Sequence, residues 1–388
     1  MKSLKTNTKV YFNGLNSLRF YAAFFVVIMH IQSNMDRVGL PSLPELPFLL
    51  KGFSAVAFFF TLSGFLITYL LLQEKTNTNN IDMPHFYMRR VYRIWPLYFI
   101  IIIFGITFYK FIVPAMGMEF PHHYELSTAG ILYTFFLANL MNSLYHVGGI
   151  LHITWSIAVE EQFYLFWAPL AKKYLKHLPQ IIVTIIIIST TVNILNAYNF
   201  FKLSEGMQQF IHTLQFHYMA IGALFAWTLY HHKEKMMNHI FFKNRWMQYS
   251  CFGLLLAYYF LYKKHPLAEN LFILPMGALY GWLIICVSAN PKNHIKIYPK
   301  LTEWLGNLSY GIYMYHMIFV YMASFIFLKL QIHEWNQSIY FFAYFLFVIG
   351  ATVFCAYLSF VLIEKGLIKK GKLWRKSRNK IPNTGINS

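Results

Sequence analysis

The side chains of this chain suited to chemistry are few, and they sit inside apolar runs. Arg19 and His30 share the run LNSLRFYAAFFVVIMHIQS, residues 15–33. An ionisable side chain in such a run is expensive in hydrocarbon and marks a functional site by default. Eleven positions separate the pair. At 100° per residue that is three turns plus about 20°, so both project from one helix face. They lie about 16 Å apart along the axis, roughly half the hydrocarbon thickness. A guanidinium near one membrane surface and an imidazole past the middle would line one internal track. The plainer reading is that Arg19 snorkels to the interface and His30 is a satisfied core histidine. This stretch alone does not separate the two.

Four more stretches carry polar groups at telling positions. FFFTLSGFLITYLL places Ser63 and Gly64 in mid-run. Small residues there allow close helix approach; a backbone opened at Gly64 towards a ligand is the alternative. PHFYMRRVYRIWPLY, residues 84–98, puts Arg90 and Arg93 three apart, hence neighbours on a helix face. They fit topology anchoring, or a clamp for phosphates, which arginine forks suit better than lysine. TWSIAVEEQFYLF, residues 154–166, holds Glu160 and Glu161 in a chain with only 14 acidic residues. Adjacent positions point about 100° apart, so the two carboxylates occupy different environments. They fit a buried ion pair, or one carboxylate orienting a catalytic histidine. LGNLSYGIYMYH, residues 305–316, puts Ser309, Tyr313 and His316 on one face and Tyr310 in the first turn. His212 and His217, five apart, lack a metal-face spacing and read as core or pore polar groups.

These side chains need a scaffold that crosses a bilayer. The chain has 388 residues, 57% hydrophobic and 12% charged, about half the charge density of a soluble protein. The apolar runs are about 15–33, 50–72, 94–113, 128–144, 153–170, 178–198, 210–230, 246–263, 270–289, 308–329 and 339–363. None alternates with period two, which excludes a β-barrel. The first run lacks a small-residue cleavage site after it and is expected to be a retained helix. If 128–144 does not cross and the N-terminus is cytoplasmic, 25 of the 33 Lys and Arg residues fall inside and seven outside. That bias obeys the positive-inside rule. The expectation is therefore an all-α polytopic membrane protein with ten transmembrane helices and both termini cytoplasmic. Residues 114–152 then form one long external or re-entrant connection, whose backbone needs shelter from protein or water. Residues 1–370 are read as the membrane domain and 371–388 as a basic cytoplasmic tail that binds anionic head groups. The net charge of +19 is thus a topology signal and not a nucleic-acid footprint. Cys251, Cys286 and Cys355 have no metal-ligand spacing and no reason to pair.

In order, these stretches resemble the motifs of the acyltransferase-3 family of integral-membrane O-acyltransferases. Arg19 and His30, with ten residues between, match its first-helix motif. FFFTLSGFLI at 58–67 is similar to the second-helix motif, and Arg90-x-x-Arg93 to the cytoplasmic arginine motif. WSIAVEEQFYLFW at 155–167 resembles the tryptophan–serine–glutamate motif, and SYGIYMYH at 309–316 the late tyrosine–histidine motif. The likeness covers about residues 12–364. It implies a ten-span bundle, acetyl-coenzyme A as donor, a hydroxyl of a cell-surface polysaccharide or its lipid-linked precursor as acceptor, and residence in a cell membrane, the inner membrane of a bacterium. Some relatives carry an extra hydrolase-like domain. No soluble domain follows here, so a stand-alone enzyme is expected. Residues and resemblance together assign His30, Glu160, Tyr310 and His316 to catalysis. They assign Arg19, Arg90, Arg93 and Ser63 to the coenzyme. Glu160 is expected to fix the His30 tautomer, and Tyr310 and His316 to line the cavity and donate to the thioester oxygen. No metal is called for. The alternative is a transporter or flippase for a lipid-linked saccharide. Intramembrane charges suit it, but no internal repeat and no paired broken spans support it.

Overall fold

The computed structural model describes residues 12–43, 52–115, 117, 124–261, 272–334 and 336–378. Among these residues there is no β-strand. The long helices are α1 (Leu15–Val38), α2 (Gly52–Thr78), α3 (Met83–Thr107), α4 (Trp155–Lys173), α5 (Leu178–Ala197), α6 (Phe216–Met237), α7 (Arg245–Leu261), α8 (Ile273–Ala289), α9 (Ser309–Lys329) and α10 (Gln337–Ser359). Six are long and apolar enough to cross a bilayer: α1, α2, α3 with its continuation to Ala115, α5 with the short turn before it, α9, and α10 with its continuation to Trp374. The chain is thus a multi-pass membrane protein. The other four coincide with runs expected to cross but are shorter or less apolar.

Local chemistry sets the ends. Asp82 caps α3 by accepting from the His85 backbone N–H at 3.2 Å, and Pro84 follows in the first turn, where no N–H is missed. Gly39, at φ 72°, ends α1 in the left-handed conformation glycine accepts without strain. The Leu40 amide then returns to the Met35 carbonyl at 3.0 Å.

The run 128–144 is broken into two short helices, Leu126–Thr134 and Ala138–Leu144, each well under the roughly 20 residues a span requires. The break is sheltered by protein: Gln162 of α4 donates to the Phe136 carbonyl and to Asn139 Oδ1, both at 2.8 Å. Part of the 114–152 connection lies outside the described residues.

Glycine brings the inner helices into backbone contact. A Cβ on Gly64 of α2 would overlap the Met219 carbonyl of α6, and a Cβ on Gly222 of α6 would overlap the Thr61 carbonyl. α2 runs unbroken through Gly64, so this glycine serves close approach and its backbone is not opened to a ligand. A short helix, Lys300–Asn307, crosses the start of α1 in the same manner, with Gly306 against Asn16. By contrast, Ile187 and Ile188 of the four-isoleucine run on α5 are exposed, at 59% and 58%, as a lipid-facing surface requires. No break occurs at residue 370: Lys365–Arg378 is helical, and Gly371 packs on Tyr92 of α3. The expected tail therefore begins inside a helix docked on the bundle. Residues 379–388 lie outside the described residues.

Candidate active site

Five helices wall a cavity of about 340 Å³. α1 contributes Arg19, α2 Ser63, α3 Arg90 and Arg93, α4 Glu160 and Tyr164, and α9 Tyr310 and Tyr313. Six of the eight residues assigned to catalysis or the coenzyme thus meet at one place, and His30 and His316 are not in its lining.

The three arginines are held differently. Arg93 is exposed, at the mouth. Arg90 is half-buried: its guanidinium carbon stands 3.6 Å over the Phe86 ring and 5.0 Å from that of Tyr164, while Nη1 donates to the Phe86 carbonyl at 2.8 Å. That arrangement fixes the guanidinium plane and commits one of its five N–H donors. Arg19 donates from Nη1 to Asn16 Oδ1 at 3.1 Å, and Asn16 in turn donates to Asn307 Oδ1 at 3.2 Å. Glu303 anchors the same turn by accepting from both the backbone N–H (3.1 Å) and the hydroxyl (2.7 Å) of Ser17. Sequence reasoning missed Asn16, Glu303 and Asn307. Their one advance signal was Gly306, whose lack of a side chain lets the short helix reach α1.

The two carboxylates are separated, as their angular offset requires. Glu160 Oε1 accepts from Ser63 Oγ at 2.5 Å, and Arg93 and Arg19 are the cations in its electrostatic range. Glu161 turns towards α3 and accepts from Trp95 Nε1 at 3.3 Å. Two expected roles change here. The interactions of Glu160 run to Ser63, Tyr164 and the arginines, and those of His30 to His316, His152 and Arg37. Glu160 is committed to Ser63 and is not among the groups that act on His30, so the structure does not pair the two as expected. Tyr310 lines the cavity with its ring, but its hydroxyl donates to the Ile94 carbonyl at 2.8 Å. That proton ties α9 to α3 and is not aimed at a thioester.

Beyond the cavity lies the histidine pair. Tyr313 belongs to the lining; its hydroxyl donates to the Ile153 carbonyl (2.9 Å) and stands 2.7 Å from Ser156 Oγ. One turn further along α9, the buried His316 ring packs on Tyr313, with centroids 5.9 Å apart, and on His30, at 5.1 Å. His30 is half-buried. Arg19 and His30 lie on one face of α1, with Arg19 in the cavity lining and His30 outside it. His217 is a core group, buried and held by Ser189 Oγ at 3.0 Å, while His212 stacks on Phe53.

Residues 12–360 match the acyltransferase-domain family. The chain is 24% identical over 377 residues to an O-acetyltransferase, OatA, of Staphylococcus aureus, covering 93% of this chain and 58% of the relative. It is likewise 24% identical to the peptidoglycan O-acetyltransferase OatA of Listeria monocytogenes (96% and 58%) and to the putative peptidoglycan O-acetyltransferase YrhL of Bacillus subtilis (95% and 56%). The chain thus spans a little over half the length of these curated relatives. No solved structure matches it. The order of the five motifs, their convergence on one cavity and a family match over nearly the whole length agree: the chain belongs to the acyltransferase-3 family.

Proposed function

We propose that this chain is a membrane-embedded O-acetyltransferase. It moves an acetyl or other short acyl group from acyl-coenzyme A to a hydroxyl of a cell-surface polysaccharide or its lipid-linked precursor. The observation that carries this reading is the cavity itself, in which three guanidiniums and a single carboxylate converge from α1, α3 and α4. Arginine forks in a largely apolar chamber suit a phosphate-bearing ligand. The names of the relatives support a saccharide acceptor.

In this reading ten helices cross the inner membrane of a bacterium, both termini are cytoplasmic, and the donor enters at Arg93. Its phosphates meet Arg93, Arg90 and Arg19, and the thioester arm extends past Glu160 and Tyr313 towards His30. The neutral His30 imidazole removes the proton of the acceptor hydroxyl as its oxygen attacks the thioester carbonyl. The C–O bond forms, the C–S bond breaks, and the imidazolium returns the proton to the departing thiolate. Ser63 holds Glu160, and Glu160 balances one of the three cationic charges.

The test is acetyl transfer from labelled acetyl-coenzyme A by the full chain in lipid nanodiscs, with a chitin oligosaccharide as acceptor, alongside calorimetric donor binding. His30→Ala is expected to bind the donor within about threefold of the parent and to lose transfer by at least about 10²-fold, the low end of general-base effects. Transfer by purified His30→Ala, or absence of donor binding by the parent, overturns the reading. A saccharide transporter would bind the oligosaccharide and ignore the coenzyme.

A further inference from the structure

We infer that His316, and not a carboxylate, is the positioning residue that orients His30. The inference rests on the proposed role of His30 as base. It starts from the His316 ring, which is wholly buried. Its Nδ1 lies 2.6 Å from the Tyr313 backbone carbonyl. A carbonyl only accepts, so the proton of neutral His316 is on Nδ1 and Nε2 carries the lone pair. That Nε2 is buried and has no hydrogen-bond partner. A buried acceptor left bare costs roughly 1–3 kcal/mol, so its retention calls for a reason.

The reason is beside it. The His30 ring is 5.1 Å away, centroid to centroid, tilted by 36°. Two imidazoles joined by one N–H···N bond stand about 5 Å apart, from about 2.9 Å between nitrogens plus about 1.1 Å of ring on each side. A small turn of the half-buried His30 ring then sets its N–H on His316 Nε2. That bond leaves the other His30 nitrogen as the lone pair, free to face an acceptor hydroxyl. It is the part a carboxylate plays in other histidine bases. Among the described residues, the other groups that act on His30 are His152 and Arg37. Neither brings a negative charge, and Glu160 is committed to Ser63. Tyr313 backs the device, since its hydroxyl is tied to Ile153 and Ser156 and holds that turn of α9 in register.

The test reads His30 directly and needs neither donor nor acceptor. The full chain in nanodiscs is treated with diethyl pyrocarbonate, and carbethoxylation of His30 is followed by peptide mass spectrometry. His316→Leu removes the acceptor, and the His30 rate is expected to fall at least fivefold. His316→Asn keeps a donor near the Tyr313 carbonyl but lacks the distal nitrogen; it is expected to behave like His316→Leu and serves if that variant does not fold. His316→Gln restores an acceptor near the Nε2 position and is expected within about twofold of the parent. Glu160→Gln is expected to leave the rate unchanged. In acetyl transfer, His316→Leu is expected to lower kcat about 10²- to 10³-fold with the donor KM within about threefold, and His316→Gln to recover at least a tenth of the parent kcat. An unchanged His30 rate in His316→Leu and His316→Asn overturns the inference, and so does slowing in Glu160→Gln. If His30→Ala is inactive while His316→Leu is fully active, this inference fails and the proposed function stands. If His30→Ala is active, the proposed function fails first.

Discussion

Replacing Arg90 by Ala is expected to raise the donor KM and to leave turnover at saturation nearly untouched. The magnitude follows from how the residue is held. Its guanidinium is half-buried between Phe86 and Tyr164, with one N–H spent on the Phe86 carbonyl. The remaining donors face the cavity without a rotamer search, so a phosphate meets a preformed fork. A charge-assisted hydrogen bond of this kind contributes about 1.5–3 kcal/mol. At about 1.4 kcal/mol per factor of ten, that is roughly a 10- to 150-fold rise in KM. Arg93 is exposed at the mouth, where an ion pair contributes about 0.2–1 kcal/mol, so Arg93→Ala is expected to raise KM only about 1.5- to 5-fold. Salt separates them further: the Arg93 effect shrinks at about 0.5 M NaCl, and the Arg90 effect persists. Arg90→Lys keeps the charge and loses the stacked plane, and is expected to fall between parent and Arg90→Ala. The assay is the initial rate of thiol release from acetyl-coenzyme A, titrated at fixed acceptor and two ionic strengths. Equal KM values for parent and Arg90→Ala, or a fall in kcat without a rise in KM, would return this arginine to topology anchoring.

Two further perturbations test the frame that holds the site. Gly64→Ala drives a methyl into the Met219 carbonyl, and overpacking of this kind costs typically about 1–3 kcal/mol. Gly253→Ala, in open space on α7, is expected to be neutral or to gain up to about 1 kcal/mol. Thermal unfolding in detergent ranks the two, and equal midpoints would mean that α2 and α6 do not touch as described. Glu303→Ala strips Ser17 of an acceptor for both its amide and its hydroxyl. It is expected to raise the donor KM about 2- to 10-fold through a loosened Arg19, with Glu303→Gln near the parent. Unchanged KM in Glu303→Ala would detach that helix from the site.

What the sequence could disclose was set by helical periodicity. The common face of Arg19 and His30, the pairing of Arg90 with Arg93 and the divergence of Glu160 from Glu161 all follow from 100° per residue, and all appear in the fold. Periodicity fixes a face but neither the rotation of one helix against another nor the depth at which two side chains meet. The pairings that were missed are of that second kind. Ser63 meets Glu160 across 97 positions, and Ser17 meets Glu303 across 286. The expectation that Glu160 serves His30 matched acid to base by chemistry alone, whereas the fold gives Glu160 to Ser63. The hydroxyl of Tyr310 was assigned to a thioester for the same reason. Its actual acceptor, the Ile94 carbonyl of α3, lies 216 positions away in the sequence.

The charge balance of the cavity argues for what it receives. Arg19, Arg90 and Arg93 bring three positive charges, Glu160 brings one negative charge, and Glu161 stays turned towards Trp95. A surplus of cations in an apolar chamber is costly unless an anion enters to share it. A neutral saccharide would leave that surplus unanswered, whereas a polyphosphate headgroup answers it and gains most at the half-buried Arg90. The same surplus has a gradient: the most exposed guanidinium is at the mouth and the others are recessed, which draws phosphate inward. Past Tyr313 stand the imidazoles of His316 and His30, and the proposed reading places the uncharged thioester and the sugar hydroxyl there. In the proposed function, binding and chemistry are divided along the axis of α1, with Arg19 on the side assigned to the donor's charge and His30 on the side assigned to proton transfer.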